Sequence, residues 1–217
     1  MTVIGKPKEQ LARIGVDDLR MFWWAFAVRG GLAIVFAGVL GLAANLLGTL
    51  FFDPIMLVSI SLLLGSYVLG NGVLLGTAGI YARQHHRRVW VVMCAESAFA
   101  IVLAGFIGFS LMMTSESLAW LAGIHALGTG CFQLGMVWKL RGNHLFVRLL
   151  GGSALISFAA AAVFLLNRQE EVRTLTIWLS GFELLFGVVV LVFALALHGG
   201  GRAVAATVDV GRADAIA

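Results

Sequence analysis

Long apolar runs alternate with short polar breaks along this chain. Six runs are long enough to cross a bilayer: about 22–48, 55–81, 89–112, 117–138, 147–166 and 174–197. A helix needs about 20 mainly apolar residues to span roughly 30 Å of hydrocarbon. The breaks fall into two alternating sets: Gly48–Pro54, Met113–Glu116 and Asn167–Arg173, against Arg83–Arg88 and Lys139–Arg148. The pattern therefore predicts an all-α integral membrane fold of six transmembrane helices, arranged as three hairpins at about 22–81, 89–138 and 147–197.

The hairpins look like copies. Ala33, Ile34, Val35, Ala37, Gly38 and Gly41 recur as Ala100, Ile101, Val102, Ala104, Gly105 and Gly108. A fainter third copy, Gly151–Ala160, keeps the small residues and loses the charge. On the even helices one common spacing links Gly65, Gly123 and Gly181, and the same spacing carries Trp120 to Trp178 and Arg83 to Arg141. Internal repeats set architecture, and parallel repeats in a membrane relate by an axis along its normal. The expectation is a pseudo-threefold bundle. Small residues at Gly38/Gly41, Gly105/Gly108, Ala159–Ala162, Gly72/Gly76 and Gly128/Gly130 are expected to let its helices approach closely.

Composition points to the same compartment. Hydrophobic residues make up 60% of the 217 and charged residues 12%, where a soluble domain carries about 25%. Mean hydropathy is +0.98. The net charge of +4 sits in short loops rather than along one helix face, which speaks against nucleic acid as a partner. Twelve Lys/Arg fall in the N-terminal segment, the two basic loops and the C-terminal tail, against Arg168 and Arg173 on the other side. The positive-inside rule then expects both termini in the cytoplasm. Trp23, Trp24, Trp90 and Trp138 fall at that end of the runs, with Trp120 and Trp178 toward the other, as in an aromatic belt. Residues 1–21 are expected as a cytoplasmic lead-in without a cleavable signal. In it Leu11, Ile14 and Leu19 with Arg13 and Arg20 could rest on the membrane surface. Residues 22–198 form the membrane domain, and 199–217 are expected as a flexible cytoplasmic tail.

Trp23-Trp24, the stretch from Arg29 to Gly38 (Arg-Gly-x-Leu-Ala-Ile-x-Phe-x-Gly) and Gly181–Gly187 (Gly-Phe-Glu-Leu-Leu-Phe-Gly) resemble the HdeD acid-resistance membrane protein family. The likeness covers about 22–198. It departs in proline, since family members place one in several outer turns and this chain has Pro54 alone there. The resemblance implies a small bacterial inner-membrane protein tied to survival in acid, with no catalytic residues to carry over.

Ionisable side chains inside spans are the candidates for function, because an unpaired one costs about 2.5–3.5 kcal/mol in hydrocarbon. Four occur: Arg29, Glu96, His125 and Glu183. Arg29 and Glu96 hold equivalent repeat positions with opposite charge, each about 10 Å into its helix at 1.5 Å per residue. A buried ion pair is expected, and its commoner role is to clamp packing. Tyr67, His125 and Glu183 align on the even-helix spacing, at one depth near the midplane. They form a candidate pH-responsive cluster, against the plainer outcome of separately satisfied polar groups. Asn45, Asn71 and Gln133 are expected to hydrogen-bond between helices.

Arg83, Arg87, Arg88, Lys139 and Arg141 suit anionic lipid headgroups. His85, His86 and His144 lack the carboxylate or thiol company of a metal site, so no metal or other cofactor is expected. Cys94 and Cys131 lie in spans and imply no disulfide framework. No hydrolase elbow, zinc-protease or phosphate-loop motif occurs, and no catalytic residue is expected. Partners reduce to the bilayer and, if glycine faces are shared between copies, a homo-oligomer. The leading expectation is a non-enzymatic stress-tolerance protein; the alternative is a small transporter or channel for protons or small solutes.

Overall fold

The computed structural model describes residues 21–50, 53–85, 89–109, 114–139 and 144–214, with side chains left aside at several segment ends and beyond Gly199. Among these residues six helices occur: α1 (Trp23–Leu50), α2 (Asp53–His85), α3 (Val89–Phe109), α4 (Ser115–Lys139), α5 (His144–Leu166) and α6 (Val172–Asp214). No strand occurs among the described residues. Residues 1–20 of the expected N-terminal lead-in lie outside the described residues, as do Arg87, Arg88 and Arg141.

Local chemistry accounts for several helix ends. Pro54 lies in the first turn of α2, where its missing N–H interrupts no hydrogen bond. Thr114 caps α4: its Oγ1 accepts from the Ser117 N–H at 3.2 Å, and its carbonyl accepts from the Leu118 N–H at 3.0 Å. Glu116 adds a negative charge in that first turn, where the helix dipole favours it. At the far end of α5 the Asn167 side chain donates to the Val163 carbonyl at 2.9 Å. α6 continues to Asp214, past Gly199, where the apolar pattern stops.

Five helices are long and apolar enough to cross a membrane, and the protein is a multi-pass membrane protein. The sequence pattern counts α4 as a sixth such run, and here the structure differs. α4 has ample length at 25 residues but falls outside the apolar set. Its polar residues explain this. His125, Thr129 and Gln133 recur every fourth residue, and all three are buried in the protein. What lowers the hydropathy of α4 is its inward face.

The helices do not pack equally. α1 lies most extensively against α6, α2 against α3, and α4 against α5. The contacts within each predicted hairpin, α1/α2, α3/α4 and α5/α6, are sparser. Glycine explains the close pairs, because apolar helices in lipid gain little by association except through tight van der Waals contact. A Cβ on Gly30 would lie 2.8 Å from the Gly187 carbonyl oxygen, and one on Gly187 would lie 2.8 Å from that of Gly30. Gly72 and Gly76 receive Ala100 and Ser97 of α3, and Gly130 receives Phe158 and the Ala154 carbonyl of α5. Ser97 and Ser180 add hydroxyl donations to the carbonyls of Gly72 (2.7 Å) and Ala37 (2.8 Å) across two of these seams.

Some expected contact glycines face outward instead. Gly38, Gly105 and Gly108 are exposed and a Cβ there would meet nothing. The repeat preserved them, but the seams run along the faces of Gly30 and Ser97. Gly41 does approach α6, at Ser180.

Candidate functional site

Two polar layers are stacked inside the bundle. In the first, Arg29 of α1 and Glu96 of α3 form an ion pair, Nη2 to Oε1 at 2.5 Å, with side chains 4% and 5% exposed. The Arg29 guanidinium also lies over the Phe186 ring of α6, 5.3 Å from its centroid. Gln133 of α4 and Ser153 of α5 line the same small cavity of about 10 Å³. That is room for one water at most. Arg29 Nε and Gln133 Oε1 are buried without a protein partner. Ser153 meets its own need by donating to the Leu150 carbonyl at 2.8 Å.

The second layer lies deeper. Tyr67 of α2 donates its hydroxyl to Glu183 Oε2 of α6 at 2.7 Å. His125 of α4 approaches the other carboxylate oxygen, Nε2 to Oε1 at 3.9 Å. At that separation the two are in proximity without a hydrogen bond. The Tyr67 ring stacks on Phe36 of α1 at 4.2 Å and meets His125 edge-on at 6.2 Å. His125 Nδ1 is also unpartnered. Arg29 is near enough to act electrostatically on Tyr67, Glu183 and His125, so the two layers share one field.

Apolar side chains close both ends. Phe26, Phe146 and Phe193 interlock edge-to-face, with Phe26–Phe193 at 5.1 Å and Phe146–Phe193 at 5.8 Å. They stand between the ion pair and the helix ends that carry Trp23 and His198, whose rings lie 4.3 Å apart. On the other side Leu40, Met56, Ile60, Leu64 and Leu118 are fully buried.

Charge balance states what this site can do. Arg29 and Glu96 cancel. Glu183 and His125 then hold one further negative charge between them, unless a proton sits on either. A net charge in this medium is costly, so a proton gained there is coupled to the packing around it.

The structure thus brings Arg29 to Glu96, and Tyr67, His125 and Glu183 to one another. Asn71 is buried one turn from Tyr67 with its Oδ1 unpartnered, while Asn45 donates to the Gly41 carbonyl of its own helix at 2.8 Å. Of the headgroup candidates, Arg83 is exposed at the end of α2, over the Trp90 ring at 5.7 Å. Lys139 is the last residue of α4, and its side chain lies outside the described set. Ser153, Phe36 and Phe186 do not stand out as site residues in apolar runs, although Phe36 and Phe186 lie in the two stretches that carry the family resemblance. Ser153 could have been found, since it falls in the third repeat copy. Both cysteines are free, and among the described residues no His, Cys, Asp and Glu group suits a metal.

The described residues thus form helices around a buried ionisable centre, five of them apolar enough to cross a membrane. Comparison with protein-family models, curated proteins and solved structures finds no match.

Proposed function

We propose that this chain is a non-enzymatic bacterial inner-membrane protein of six spans, similar to the HdeD family, that supports tolerance of acid or envelope stress. In this reading three hairpin copies surround a shared axis, with both termini and the basic loops in the cytoplasm. α4 is the sixth span, admitted because its polar face turns inward. Arg29 and Glu96, at equivalent positions of two copies, line one cavity with Leu150, which directly precedes the third copy, and this supports such an axis. The alternating close and sparse helix contacts fit the same arrangement.

The observation that carries the functional reading is the buried Glu183 carboxylate, held by Tyr67 and approached by His125. The charged and titratable groups that act on it are Tyr67 from α2, His125 from α4 and Arg29 from α1. Protonation of Glu183 or His125 in acid removes the net charge and alters the Tyr67 bond. The bundle is therefore a proton-responsive element and not a passive scaffold. Against transport of solutes stands the size of the cavity in the ion-pair layer, about 10 Å³.

Survival of cells at low pH tests this, comparing the natural chain with His125→Ala/Glu183→Gln at matched membrane levels. The pair of substitutions is expected to lower survival, and equal survival rejects the reading. Proton or small-ion flux in liposomes that depends on His125 and Glu183 would favour the channel alternative.

A further inference from the structure

A second feature lies on the outside of the bundle, between α5 and α6. There an open apolar groove of about 710 Å³ runs along Ala159, Ala160 and Val163 on one side and Trp178, Gly181 and Leu185 on the other. Small residues create it: a Cβ on Gly181 would meet nothing within 4 Å. α5 and α6 are one of the sparsely packed pairs, so neither helix fills the space. At its end the groove reaches Asn167, and Asn167 also lines a polar cleft of about 490 Å³ formed by Leu166–Glu171. An apolar trough that opens into a polar cleft has the polarity profile of an amphiphile.

From this continuity we infer that the α5/α6 groove is a site for one phospholipid, with an acyl chain along Ala160 and Gly181 and the headgroup in the Asn167–Glu171 cleft. The flanks fit a bilayer, since Leu155, Leu166, Ile177 and Leu184 are exposed beside it. A helix from a second copy fits less well, because its apolar face would continue onto Arg168, Glu170 and Glu171. Those three charges also select the headgroup. Arg168 is already engaged, Nε to Glu116 Oε1 at 3.4 Å and over Trp120 at 5.8 Å. Two exposed carboxylates, Glu170 and Glu171, remain in the cleft. An ammonium-bearing headgroup, as in phosphatidylethanolamine, pairs with them, whereas a purely anionic one meets repulsion.

Native mass spectrometry of the full chain, released from nanodiscs holding equal phosphatidylethanolamine and phosphatidylglycerol, tests the site. One retained phosphatidylethanolamine per chain is expected. Gly181→Leu projects into the groove from a position where a Cβ meets nothing within 4 Å, and should reduce that occupancy about tenfold, the effect of losing two buried methylenes. Helix content by circular dichroism should stay unchanged, which separates groove filling from misfolding. Glu170→Gln/Glu171→Gln should keep the lipid but abolish the headgroup preference. Equal retention by the natural chain and Gly181→Leu overturns the site. A dimer that Gly181→Leu dissolves overturns it in favour of a second copy, and equal retention of both lipids by the natural chain overturns the headgroup assignment.

Discussion

Gly30 and Gly187 face each other across the α1/α6 seam so closely that a Cβ on either would come 2.8 Å from the other's carbonyl oxygen. This contact joins α1 to α6, the first and last of the described helices. Arg29 precedes Gly30 and Phe186 precedes Gly187, so the backbone approach also sets the guanidinium over its aromatic ring. The opposing atoms are backbone and cannot rotate away.

Gly30→Ala is accordingly expected to destabilise the fold by about 1–3 kcal/mol through overpacking. Gly31→Ala is the control, since open space surrounds that position. It should be neutral or stabilising by up to about 1 kcal/mol, the helix propensity gained. Unfolding titrations in mixed micelles, followed by circular dichroism, would compare the two, and equal losses would deny the close seam.

The ion pair makes a separate prediction. Arg29→Gln or Glu96→Gln alone leaves a charge buried without its partner, which costs about 3–5 kcal/mol. The exchange Arg29→Glu/Glu96→Arg should recover most of that loss. Yield of folded protein and unfolding midpoint are the readouts. An exchange as poor as the single variants would mean that contacts other than the mutual attraction hold these side chains.

Tyr67→Phe removes the hydroxyl donated to Glu183 and should cost about 1.5–3 kcal/mol, the range for a hydrogen bond to a charged group. In a cycle with Glu183→Gln the two effects should be non-additive, because both act on one bond. Additive losses would place the two side chains apart.

Arg168→Ala should do little. Its pair with Glu116 is about half exposed on both sides, at 45% and 52%, and exposed pairs contribute about 0–1 kcal/mol. A loss well beyond that would show that the stack on Trp120 matters more than the charge.

The apolar runs predicted the helices because hydrophobic length is a local property. The positions of Arg29 and Glu96 were legible for a related reason: a repeat of opposite charge at matched positions leaves little choice of partner. α4 was harder to classify. Its polar residues lower its hydropathy, and only their shared inward face shows why a helix can carry them. The seams were harder still. Gly38 and Gly105 recur as faithfully as any residues in the chain, yet they point outward while Gly30 and Gly187 make the contact.

By itself the sequence determined that this is a helical membrane protein and which buried charges need partners, but not that α6 continues past its apolar run to Asp214. Hydrophobicity and the cost of a bare charge in hydrocarbon act on residues wherever the chain goes. Which helices touch, that Glu183 takes its bond from Tyr67 while His125 waits at 3.9 Å, and that a groove opens between α5 and α6 were decided only in three dimensions. Those outcomes depend on the rotation of each helix about its own axis, and shape complementarity sets that angle once all six are packed.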